Sequence, residues 1–69
     1  MWIKIDNYEI FTDIRLGSLI SQKPNNPNGT FEVGLKTDGY VSASHIIGEL
    51  ELTILSVKEL IGDNWWLRE

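Results

Sequence analysis

The chain contains no cysteine, which removes disulfides, thiolate metal sites and thiol nucleophiles, and with them the covalent staples of many tiny scaffolds. It is short of cations, with six Lys and Arg against ten Asp and Glu and a formal charge of -4. A balance of that sign argues against a phosphate-neutralising surface, and so against general nucleic-acid binding. No apolar run approaches the ~18 residues of a membrane span, and the start, Met1 to Asp6, lacks the basic segment and apolar stretch of a signal peptide. A cytoplasmic location with no membrane contact is the resulting expectation. At 69 residues the chain is too short for a second domain, leaving a single domain over residues 1–69.

Hydrophobic residues make up 42% and charged residues 23%, values of an ordinary globular domain that exclude a disordered or fibrous chain. For so short a chain the entropy of ordering roughly matches what a small core returns, so a homo-oligomer or a partner protein is expected to support the fold.

Alternation of period two dominates the pattern. Met1, Ile3 and Ile5 share one face of a first strand while Trp2 and Lys4 share the other. Asp6-Asn7 is a turn pair, and Tyr8 to Leu16, with a phase change near Phe11-Thr12-Asp13, reads as two short strands or one with a bulge. Pro24 to Gly29 consists only of turn formers and is a loop. Thr30 to Thr37 alternates with Phe31, Val33 and Leu35 inward and Glu32, Gly34 and Lys36 outward. Asp38-Gly39 then forms a hairpin with Tyr40 to His45 as the return strand.

Two readings compete over Gly48 to Ile61. Leu50, Ile54, Val57 and Ile61 fit a helical stripe with Gly62 as its cap, whereas Glu49 to Ile54 alternates as a strand and Leu55 to Lys58 continues it in shifted phase. The helix would expose Leu52 and Leu55, which favours the strand. The fold class is therefore all-β, a small antiparallel sheet or a partly closed barrel of five to six short strands. The alternative is α+β, the same sheet with one helix at about residues 45–61.

The closing segment, a strand followed by Gly62-Asp63-Asn64-Trp65-Trp66, resembles the hairpin of SH3 domains that carries a Trp-Trp pair. The resemblance covers about a quarter of the chain. The aromatic segment, the acidic loop and the later Pro and Tyr that complete the family's peptide groove have no counterpart here. It implies a small β-barrel and does not extend to a proline-rich ligand.

Groups suited to catalysis are sparse. His45 has no second ligand at a recognised metal spacing, and Ser42 and Ser44 point to the strand face opposite it, so neither a zinc site nor a triad is indicated. Gly34-Leu35-Lys36-Thr37 misses the phosphate-loop spacing and lies in a strand; Asn28-Gly29-Thr30 is a turn before it is a glycosylation acceptor. The carboxylates are scattered. No catalytic residue, metal ligand or cofactor site is assigned, and the chain is read as non-enzymatic.

The large aromatics carry more information. Trp2 lies on the outward face with Lys4, and Trp66 on the outward face with Arg68. If the terminal strands are neighbours, these four form an aromatic and basic patch of the composition that protein interfaces enrich, with Tyr40 and Lys36 as further contacts. The expected function is a protein-binding module, as an assembly subunit or as an inhibitor or adaptor such as phages encode. The alternative is a receptor or sponge for a nucleotide-like anion, its base on a Trp and its phosphate near Lys4, Arg68 or Lys36.

Overall fold

The computed structural model describes residues 1–47 and 52–69. In chain order the elements are β1 (Trp2–Lys4), α1 (Tyr8–Thr12), β2 (Leu19–Ser21), β3 (Thr30–Lys36), β4 (Tyr40–His45), β5 (Leu52–Ser56), α2 (Val57–Gly62) and β6 (Trp66–Arg68), with a 3₁₀ turn at Pro27–Gly29. The strands form one six-stranded sheet in the order β1-β6-β2-β3-β4-β5, every pairing antiparallel. The antiparallel sheet stays open, with β1 and β5 as its edges, and does not close into a barrel.

One face of the sheet is buried. Leu67, Ile20, Val33, Ala43, Val41 and Leu55 alternate onto it and meet Phe11, Ile14 and Leu60 from the helical segments in one cluster. Each fully buried Leu, Ile or Phe contributes ~1.5–3 kcal/mol, and the helices that complete this layer also touch each other. Trp65, 5% exposed, closes the cluster with its ring edge-on to Phe31 at 5.6 Å. The opposite face carries no helix among the described residues.

Four expectations change. Within the segment Tyr8 to Leu16, Tyr8–Thr12 forms helix α1 and no strand forms. The Asn7 side chain accepts the Ile10 N–H at 3.1 Å as an N-cap; the helix turns Phe11 into the core, and the turn that follows, with the Ile14 N–H donating to the Phe11 carbonyl at 3.1 Å, brings Ile14 in beside it.

Leu35 and Lys36 exchange faces. The β3–β4 register shifts between Val33 and Leu35, leaving Gly34 as the extra residue of a bulge, and a one-residue slip reverses every side chain beyond it. Leu35 therefore stands on the open face, 49% exposed, and Lys36 turns beneath α1.

The segment read as strand or helix divides between the two. Residues 52–56 are strand, and at Ser56 a capping box starts α2: the Glu59 N–H donates to Ser56 Oγ at 3.1 Å, and the Ser56 N–H to Glu59 Oε1 at 3.3 Å. The proposed shifted strand at Val57-Lys58 and the proposed helix at Leu52-Ile54 are both replaced; the part of this segment at 48–51 lies outside the described residues.

Gly62 is the last residue of α2, and the left-handed position falls on Asn64, with φ of 59°. In the hairpin, Thr37 Oγ1 accepts from the Gly39 and Tyr40 N–H groups at 3.2 and 3.1 Å, and Gly39 needs no left-handed backbone.

Candidate functional site

The site begins with the chain's return path. α2 carries the chain from edge strand β5 back across the sheet, so that β6 enters between β1 and β2. The resulting ladder places Trp2 opposite Arg68, Arg68 opposite Leu19, and Lys4 opposite Trp66. With the inward phase taken by Ile3, Leu67 and Ile20, period two sends Trp2, Trp66, Arg68 and Leu19 to the open face.

A wall rises beside them from the turn-forming loop. Ser21, fully buried, donates from Oγ to the Gly29 carbonyl at 2.8 Å and accepts the Lys23 N–H at 2.8 Å. Thr30 Oγ1 donates to the Asn26 carbonyl at 2.8 Å, and Asn26 Oδ1 accepts the Asn28 N–H at 3.0 Å. These bonds hold Pro24 and Pro27 upright. The indole N–H of Trp2 reaches this wall, donating to Asn25 Oδ1 at 3.1 Å, which ties β1 to a loop 23 positions away in sequence.

Between sheet and wall lies a broad, open groove of about 720 Å³ whose lining includes Trp2, Trp66, Leu19, Pro24, Ile46 and Arg68. Both indoles are half-buried and line the groove. Arg68, exposed, is the one charged side chain in the lining among the described residues. The described surface is mainly apolar and aromatic and carries the Arg68 guanidinium, which suits it to an apolar group beside a carboxylate or phosphate.

The residues singled out from the sequence divide. Trp2, Trp66 and Arg68 come together in the groove. Lys4 shares their face, but its Nζ donates to Asn64 Oδ1 at 3.0 Å and it is not part of the lining. Tyr40 stands at the start of β4, opposite Ser56 on β5, with β2 and β3 between it and the groove's β6.

Lys36 is on the other face. Its Nζ donates to the carbonyls of Thr12 and Ile14 at 3.1 and 2.7 Å and lies 4.9 Å from the centre of the Phe11 ring, where it caps the end of α1. Desolvation in this position holds the Lys36 ammonium below its usual range; Arg15 pushes the same way, and Asp13 and Asp38 oppose it. His45 packs its ring against Phe31, centroids 4.1 Å apart, on the buried face, while its neighbours Ser42 and Ser44 lie on the open one. Among the described residues no group of three His, Asp or Glu side chains is placed to hold a metal ion, and no helix is long and apolar enough to cross a membrane.

Sequence reading missed the groove's second wall. Leu19, Pro24, Asn25, Pro27 and Ile46 belong to the site only because β2 neighbours β6, and no local pattern encodes that pairing. No protein-family model, curated protein or solved structure matches this chain.

Proposed function

We propose that this chain is a non-enzymatic interaction module that takes an extended segment of a partner protein into the groove between Trp2, Trp66 and Arg68, as an assembly subunit or as an inhibitor or adaptor. The single observation that carries this reading is the convergence of two half-buried indoles and one exposed guanidinium on a sheet face that neither helix covers. Trp and Arg supply binding energy out of proportion to their number, commonly ~2 kcal/mol or more each when truncated at an interface. The indole N–H of Trp2 is already bonded to Asn25, so little rotamer freedom remains to be lost when a ligand arrives.

The groove's breadth favours one ligand class over the other. Small-molecule sites enclose roughly 70–90% of their ligand, whereas this groove is largely open to solvent, which supports a chain lying across it. A suitable segment carries an apolar or aromatic side chain for the indoles and a carboxylate for Arg68. The small-nucleotide reading also loses one of its three phosphate-binding candidates, since Lys36 is on the opposite face.

Selection of a displayed library of random peptides, each about a dozen residues long, tests the proposal. Wild type should enrich peptides pairing an apolar with an acidic residue, and Trp66→Ala and Arg68→Glu should fail to retain them. Absence of enrichment on wild type, or equal retention by both variants, overturns it. Fluorescence titration with mononucleotides separates the alternative: quenching that Arg68→Glu abolishes would replace the peptide by a small anion.

A further inference from the structure

We infer that β5 pairs, edge to edge and about a two-fold axis, with β5 of a second copy of this chain. The inference stands apart from the groove, which lies at the other side of the sheet. Its first support is the direction of the backbone. The Val57 N–H donates to the Gly39 carbonyl at 3.0 Å, which fixes the phase of the β4–β5 ladder. In an antiparallel ladder the bonded phase alternates, so Thr53 and Leu55 also turn their N–H and C=O groups toward β4. Leu52 and Ile54 then direct theirs off the sheet. Among the described residues no strand or side chain meets them there.

The second support is chemical. The same two residues have the most exposed side chains of the strand, Leu52 at 75% and Ile54 at 65%, and Leu35, 49% exposed, lies in the same cross-strand row as Ile54 with Ser42 between them. Edges that stay solitary are usually short, charged or capped by proline. β1 fits that description, with three residues including Lys4; β5 has five residues and no charge. On a chain of charge -4, β5 itself brings no charge to the contact, although Glu51 immediately precedes it in the sequence.

The register identifies the occupant as a second copy. With the axis through Thr53, Leu52 pairs with Ile54 of the other copy and Ile54 with its Leu52, which uses both outward N–H groups and both outward carbonyls of each chain. Both exposed aliphatic side chains of β5 gain a cross-strand partner, and the Ser56 amide keeps its bond to Glu59. An isologous contact of this kind closes at two copies. The product is a continuous double-length sheet whose two grooves lie roughly 40 Å apart along it, at a strand spacing of about 4.8 Å, a geometry suited to bivalent capture.

Two measurements on the intact chain test this. Sedimentation equilibrium from micromolar to millimolar concentration should give a monomer–dimer equilibrium, and Leu52→Lys with Ile54→Lys should weaken it by about tenfold or more, since like charges then face each other across the axis. Amide exchange on wild type should show Leu52 and Ile54 protected only at high concentration and Thr53 and Leu55 protected throughout, a readout that needs no variant. A monomer at all concentrations overturns the inference. So does a dimer in which the Leu52 and Ile54 amides stay unprotected, or one that the double lysine variant leaves intact while Trp66→Ala dissolves it. Pairing of β5 with a strand of an unrelated protein by a chain that never dimerises also overturns it.

Discussion

Trp2 and Arg68 stand directly opposite each other in the β1–β6 ladder, on the face of the sheet that neither helix covers. The pair joins the two ends of the chain, and Trp66, two residues before Arg68, completes the aromatic floor of the groove. The energetic division between them is testable. Arg68 is exposed, so Arg68→Ala should change unfolding free energy by no more than ~0.5 kcal/mol, as for ordinary surface substitutions. The same variant should lose about 2 kcal/mol in affinity for a peptide selected on wild type. Urea titration and calorimetry on one preparation give both numbers; a large stability loss would make Arg68 a structural residue.

Two glycines should respond differently to alanine. Gly17 has φ of +89°, a left-handed conformation in which a Cβ is strained by ~1–2 kcal/mol, so Gly17→Ala should lower the denaturation midpoint accordingly. Gly34 sits at the bulge without left-handed backbone and with nothing near its added Cβ, so Gly34→Ala should stay within about 0.5 kcal/mol of wild type. Deleting Gly34 removes the bulge but keeps the register, since Val33 opposite Ala43, Leu35 opposite Ser42 and Lys36 opposite Val41 then follow in unbroken alternation; the variant should stay folded with Leu35 outward and Lys36 inward.

The strand-to-helix switch at Ser56 rests on one side chain. Ser56→Ala removes the acceptor for the Glu59 N–H and should destabilise by ~1 kcal/mol, while Ser56→Asp, which can still cap, should recover most of it. Thermal unfolding followed at the far-ultraviolet helix band checks the order of the three proteins.

Lys36 should titrate below 10.5, its ordinary value, when followed by NMR of its side-chain carbon. Asp13 is the larger of the two carboxylate influences that raise it, so Asp13→Asn should move the midpoint further down; Arg15→Gln should move it up. The linkage has the opposite sign to that of a lysine gaining an ion pair. Between the lowered folded value and 10.5 the unfolded chain binds the proton more tightly, so the Lys36 contribution makes stability rise with pH across that window. A midpoint above 10.5 would show that its two carbonyl bonds outweigh desolvation.

Where reading the sequence succeeded, the signal was local and repeated. Alternation over Met1 to Ile5, Thr30 to Val33 and Tyr40 to His45 placed β1, the first half of β3 and β4, and Asp38-Gly39 placed the hairpin between the last two. It failed where the element was shorter than its own period. Helices of five and six residues span less than two turns, so α1 and α2 show no stripe to tell them from strands; their caps at Asn7 and Ser56 were the available signals. The bulge at Gly34 shifted two side chains without leaving a local trace, and moved Lys36 from the patch assigned to it.

The sequence by itself determined the alternation of β1, of β3 as far as Val33 and of β4, the turns at Pro24 to Gly29 and Asp38-Gly39, and that Trp2 and Trp66 share sides with Lys4 and Arg68, because side-chain direction along an unbroken extended backbone follows from covalent geometry alone. Only the tertiary structure decided that β6 lies between β1 and β2, that the proline-bearing loop stands over the indoles, and that β5 is an edge. Those outcomes depend on pairings between residues far apart in the chain, fixed by which arrangement buries the core under two short helices, and no window of neighbouring residues contains that choice.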